Sequence, residues 1–135
     1  MTIQLQACNI TVNDVDESIA FYGALGLDVH NDVGAGPYRW VSLGSDAQPG
    51  LDIVISVPHA GRSQDDGDAL QELLTKGVLP FLIFRTDDVD ALFEHVRATG
   101  AEVLQEPMDQ SWGPRDCAFR DPSGNTVRIA QAPAS

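Results

Sequence analysis

The stretch NDVDESIAFYGALGLDV, Asn13 to Val29, returns in altered form as DDVDALFEHVRATGAEV, Asp87 to Val103. Set one above the other, Asp14 falls on Asp88, Val15 on Val89, Asp16 on Asp90, Ala24 on Ala98, Gly26 on Gly100 and Val29 on Val103, all at the offset of 74 that separates Asp14 from Asp88. The same offset carries Gly50 onto Gly124, each in the turn before the last strand of its half. Matches at one spacing without a gap mark an internal repeat. The first copy reads as a helix entered through Asp14, whose carboxylate takes up free N–H groups of the first turn, and left through Gly26. Val15, Ile19, Tyr22 and Leu25 make one apolar stripe, and Val89, Leu92, Phe93 and Val96 the other.

Outward from the helices, each half reads as strand, helix and three strands. In the first, IQLQACNITV opens, the helix runs from about Val15 to Ala24, and strands follow near Leu27–Asn31, Tyr38–Leu43 and Leu51–Val57. In the second, VLPFLIFRT opens, the helix runs near Val89–Ala98, and strands follow near Glu102–Gln105, Asp116–Arg120 and Asn125–Ala130. The expectation is an α+β fold, one domain over 1–135, with two βαβββ modules in tandem forming a curved mixed sheet around a cleft. The halves are about 1–58 and 78–135, and the linker 59–77 carries a short helix near Asp68–Thr75. GAGP, Gly34 to Pro37, reads as a loop. A helix covers one face of each sheet, so alternation sends Leu51, Ile53, Ile55, Val57, Val127 and Ile129 beneath it. Asp52, Val54 and Ser56, with Thr126, Arg128 and Ala130, then enter the cleft, where Asp52 and Arg128 are placed to pair across it.

A chain of 135 residues that is 43% hydrophobic can build its own core. No apolar run nears the ~20 residues needed to span a bilayer, and MTIQLQACNI lacks the charged and apolar regions of a secretory signal, so the expected location is the cytoplasm, with no membrane partner. A formal net charge of −12 repels a polyanion and argues against a nucleic-acid partner. Cys8 and Cys117 lack a CxxC neighbour and are expected as buried, reduced thiols. His30, His59 and His95 share no metal-motif spacing and are expected at the surface. No nucleophile elbow, P-loop or dinucleotide fingerprint is present.

VNDVDESIAFYGALGL, TDDVDALFEHVRATGAEV and above all SWGPRDCAFRDPSGNTVRI resemble the vicinal oxygen chelate superfamily of glyoxalase I, extradiol dioxygenases, and fosfomycin- and bleomycin-resistance proteins. The last segment looks most like bleomycin-resistance and small glyoxalase-like proteins. Metal-dependent members place His, Gln or Glu at one inward position in the first and last strand of each half. Matched by the repeat, those positions hold Ala7, Val54, Phe81 and Arg128, none suited to a divalent cation, so no metal and no other cofactor is expected. What the resemblance implies first is a metal-free protein that binds a small, partly aromatic organic molecule, as in antibiotic sequestration. Tyr38, Trp40, Phe81 and Trp112 would supply flat apolar surface, and Asp52, Arg85 and Arg128 the polar contacts. A metal-dependent lyase, isomerase or dioxygenase, and an accessory subunit without a ligand, are the alternatives. A homodimer, side by side or by exchange of halves, is expected of the family.

Overall fold

The computed structural model describes residues 1–36 and 38–133. The elements run β1 (Ala7–Thr11), α1 (Val15–Leu25), β2 (Asp28–Ala35), β3 (Tyr38–Gly44), β4 (Asp52–Ser56), α2 (Gln64–Lys76), β5 (Leu82–Thr86), α3 (Val89–Arg97), β6 (Glu102–Asp109), β7 (Arg115–Arg120) and β8 (Thr126–Gln131). They form two four-stranded mixed sheets, ordered β1-β4-β3-β2 and β5-β8-β7-β6. In each, the outer pair β1/β4 or β5/β8 is parallel and the rest antiparallel. The α+β class and the tandem βαβββ modules are as the repeat predicts. The sheets, however, remain separate and do not close on a cleft within one chain.

α1 and α3 begin at their expected residues, Val15 and Val89. The Asp14 carboxylate accepts the Glu17 N–H at 2.9 Å, and that of Asp88 accepts the Ala91 N–H at 3.0 Å. Gly26 closes α1 in the left-handed region at φ 110°. α1 and α3 pack together, and one buried cluster joins Phe21, Tyr22, Leu43 and Ile55 of the first half to Phe93, Phe119, Val127 and Ile129 of the second. The helix-covered faces of both sheets thus converge on a shared core, which turns the bare faces outward.

The turn between β7 and β8 stitches the halves together. Asp121 is 4% exposed, yet its carboxylate accepts from five donors: the N–H groups of Ser123, Gly124 and Asn125, the Asn125 side-chain amide, and the Tyr22 hydroxyl of α1 at 2.7 Å. From the same turn, the Asn125 amide donates to the Thr11 carbonyl at 2.8 Å, and the Ser123 hydroxyl accepts the Asn13 N–H at 2.7 Å. α2 docks on it too: a Cβ on Gly124, at φ 110°, would lie 2.8 Å from the Leu74 carbonyl oxygen. Only glycine lets the helix end approach so closely.

Several segments depart from expectation. β2 and β6 reach Ala35 and Asp109 because their antiparallel partners carry them along, although as edge strands they need no clean alternation. Gly34 and Ala35 therefore belong to β2 and Gly36 to the turn, while Pro37 lies outside the described residues. α2 starts at Gln64 rather than Asp68, capped by Ser63, because its polar first turn is solvated and shows no apolar period. Asn125 belongs to the turn rather than to β8. Cys117 is fully buried, and burial pushes its thiol up to about 11. Cys8 is exposed, at the start of an edge strand whose first three residues are uncovered. No helix among the described residues is long and apolar enough to cross a membrane.

Burial, and then the Asp121 charge and hydrogen bond, push the Tyr22 phenol far above its ordinary value. A raised phenol value stabilises the fold fully below pH ~10 and loses that contribution as pH rises further. Tyr22 should therefore give no phenolate absorbance at 295 nm until the chain unfolds. Tyr22→Phe should lose about 1–3 kcal/mol and Asp121→Ala more, in urea denaturation at pH 7, because buried donors and acceptors lose partners. Equal stability of Asp121→Ala and the parent would show that the turn does not join the halves.

Candidate functional site

Two bare sheet faces offer side chains to a ligand. On the second sheet, β7 and β5 flank β8, with Arg128 beside Ala118 and Ile83, and Ala130 beside Asp116 and Arg85. Val127 and Ile129 are fully buried under α3, so alternation does send Arg128 to the bare face. There its Nη1 donates to Asp116 Oδ2 at 3.0 Å and to Gln105 Oε1 at 3.1 Å. The Gln105 and Gln110 amides donate to Asp116 Oδ1 at 2.9 and 2.8 Å. Asp116 is 3% exposed and Arg128 about a third. Burial pushes the Asp116 carboxyl up, but the hydrogen bonds from Gln110, Gln105 and Arg128 and the arginine charge outweigh it and hold the group below the ordinary carboxylate range. Nε and Nη2 of Arg128 have no partner among the described residues. A guanidinium gripped through one nitrogen thus keeps a planar pair of donors unengaged.

The expected Asp52–Arg128 pair does not form. The two stand on separate sheets, and each finds a partner on its own: Arg128 takes Asp116, and Asp52 Oδ1 lies 2.8 Å from His30 Nδ1. His30 is exposed, as expected, and is paired on the first sheet's bare face. His59 is likewise bound to Asp68 at 2.8 Å, while His95 is exposed. The sequence does contain a signal for the arginine's true partner. Asp116 sits two residues before Ala118 on the neighbouring strand, in phase with Arg128, but only the register shows it.

The other candidates are divided between the two faces. Trp40, 53% exposed, stands beside Val33 on the first sheet. Phe81, 58% exposed, lies just before β5, on which Ile83 is 63% exposed and Arg85 is also open. Trp112, 71% exposed, occupies the β6–β7 hairpin, whose Gln110 is anchored to Asp116. Tyr38 lines a depression of about 380 Å³ beside the start of α1, with Asn13 to Asp16, Arg39 and Val57, away from these groups. A second depression, of about 270 Å³, lies beside α3. One chain therefore does not gather the seven expected residues Tyr38, Trp40, Asp52, Phe81, Arg85, Trp112 and Arg128 into one groove.

The register also revises the positions compared with metal ligands. Asn9 is level with Val54, and Ile83 with Arg128, while Ala7 and Phe81 stand two residues earlier. None of these six is a carboxylate, imidazole or thiolate, and no group of three or more His, Cys, Asp or Glu able to hold a metal occurs among the described residues.

Residues 4–129 match the family model described as Glyoxalase/Bleomycin resistance protein/Dioxygenase superfamily. The chain belongs to that superfamily. Among solved structures, this superfamily member is similar to UcmS2, with 28% identity, a TM-score of 0.87 and coverage of 98% of this chain and 100% of that one. TnmS3, an antibiotic binding protein from Streptomyces sp. CB03234, has 24% identity, a TM-score of 0.74 and coverage of 98% of each chain. Glyoxalase I from Zea mays has 17% identity and a TM-score of 0.74, with 98% of this chain covering 46% of that one. The search of curated proteins finds no match.

The Arg128 network sets a stability test. Arg128→Met leaves Asp116 buried without its cation and should lose about 1–3 kcal/mol at pH 7. A depressed carboxyl contributes stability above its unfolded value near 3.9 and loses it as pH falls through the folded value. Without the arginine the Asp116 value rises, so the gap between variant and parent should narrow below pH ~4. By strand register Trp40 and Val54 hold these two places in the first half, so the fold needs neither charge, and removing both together leaves no buried charge unpaired. The double variant Asp116→Ser/Arg128→Val should therefore recover much of the loss; a further loss would disprove the pairing.

Proposed function

We propose that this protein is a metal-free binding protein that holds a small, partly aromatic organic molecule between bare sheet faces, with antibiotic sequestration in the cytoplasm as the role. The observation that carries the reading is Arg128, fixed from behind by buried Asp116 with Nε and Nη2 unengaged, beside exposed Ile83 and Phe81. Such a surface suits an aromatic body bearing an acceptor or anionic group. TnmS3, described as an antibiotic binding protein, has the same fold. A metal-dependent lyase, isomerase or dioxygenase would need ligands where this chain carries Asn9, Val54, Ile83 and Arg128.

The shared core turns both bare faces outward, so a cleft that engages both requires a second chain. The proposal therefore includes a two-fold homodimer in which one subunit's first sheet faces its partner's second. Light scattering at tens of micromolar protein should give twice the chain mass. A monomer mass there would refute the dimer.

Binding is read from the two tryptophans, both exposed. A panel of aromatic carboxylates, beginning with 2-naphthoate, should quench their fluorescence saturably. Asp116→Ser/Arg128→Val should weaken the tightest binder about 10- to 100-fold, as expected for a lost hydrogen bond to a charged group. Nickel, zinc or iron(II) at micromolar levels should leave the melting temperature unchanged, since a tightly bound ion stabilises by several kcal/mol. A clear metal-dependent rise, or no quench by any member, would overturn the reading.

A further inference from the structure

On the first sheet, a β-bulge interrupts the β2–β3 ladder between Val29 and Asn31, and His30 is the extra residue. Bulges re-aim side chains, and this one turns the imidazole onto the bare face. The ring crosses β3 at Gly44 to meet Asp52 on β4. A Cβ on Gly44 would collide with His30 Cε1 and lie 2.6 Å from Asp52 Oδ1, so the glycine is what lets the pair lie across the strand. A carboxylate only accepts, so the contact of 2.8 Å between Asp52 Oδ1 and Nδ1 selects, for the neutral ring, the tautomer with its proton on Nδ1. Nε2 is left as an acceptor, and it has no partner among the described residues.

The internal repeat supplies a control. The second half has the same bulge, between Val103 and Gln105, and there the extra residue is Leu104. By strand register the places of Gly44 and Asp52 are taken by Arg120 and Thr126. The bulge therefore forms without a histidine, a glycine or a carboxylate, and the fold does not account for the pair. Along β3 on the same face, past Ser42 and Asn31, stand Trp40 and Val33, 53% and 56% exposed. Four residues of strand separate Gly44 from Trp40, about 13 Å. An apolar platform and a directed acceptor thus share one sheet face.

We propose that His30 Nε2 accepts a hydrogen bond from a ligand hydroxyl, with Asp52 as the positioning residue that fixes the tautomer, and that the ligands are therefore fused aromatic molecules carrying a phenolic group. This rests on the binding role proposed above and names one end of the ligand. Arg128 would serve the acceptor-bearing end from the other subunit's sheet.

The test compares 2-naphthol with 2-methoxynaphthalene, which differ in the donor, by NMR titration of full-length protein with 15N-labelled histidine. In the free protein, the His30 nitrogen shifts should report a protonated Nδ1. 2-Naphthol should shift the Nε2 resonance and bind about 5- to 10-fold more tightly than its ether, as one hydrogen bond implies. His30→Leu copies Leu104 of the other half and should fold normally, keep the ether's affinity and lose the preference. Asp52→Asn should place the proton on Nε2 and lose the preference with the ring still present. Equal affinities for the two probes, or a preference that survives His30→Leu, would overturn the inference. If 2-naphthoate binds in an Arg128-dependent way while neither neutral probe perturbs His30, this inference falls and the binding role stands. If no aromatic probe binds either face, both fall.

Discussion

The buried carboxylate of Asp121 is the contact on which the architecture depends. Among the described residues no cation pairs with it; five N–H and O–H donors carry its charge. Such a group is stable out of water only while every donor stays in place, which makes the turn rigid. Three donors are the turn's own backbone, and the Tyr22 hydroxyl comes from α1, a hundred residues earlier in the chain to the nearest ten. With Asn125 and Ser123 reaching the chain around Thr11 and Asn13, and α2 docked on Gly124, one short turn orients both helices and both sheets.

That orientation decides where ligands can go. Once α1 and α3 share a core, each sheet has one face under its helix and the other exposed. The residues suited to binding then lie on two outward faces, so the single chain has the parts of a groove without the groove. The two depressions described above lie beside the helices, one lined by the capping Asp14 and by Asp16 paired with Arg39, the other by Asp90, itself paired with Arg115, and by Glu94 and Glu106. Exposed pairs of this kind contribute little stability and hold no directed donor or acceptor free.

The two modules keep one scaffold and differ in what they put on it. Where the second sheet places Arg128 and Asp116, the first has Val54 and Trp40; where the first places His30 and Asp52, the second has Leu104 and Thr126. Each module therefore shows which polar groups the fold can do without. By that measure the arginine network and the histidine pair are additions to the scaffold, and each faces outward on a sheet whose other side is sealed.

The sequence by itself determined the modules, because the repeat, the aspartate caps and the glycine stops act locally and leave periodic traces. It also determined which face Arg128 occupies, since strand alternation is a two-residue rule. It did not reveal the partners. Asp52 opposite Arg128 looked like a pair when only spacing was visible, but hydrogen-bonded register put Asp116 beside the arginine and a bulge brought His30 to the aspartate. The role of DPSGN was hidden for the same reason: as a sequence it is a turn, and only the packing of α1 against it makes Asp121 the joint between halves. Local propensities can be read along the chain, whereas a side chain's partner depends on which strands and helices come to lie beside it, and that is settled only when the whole chain folds.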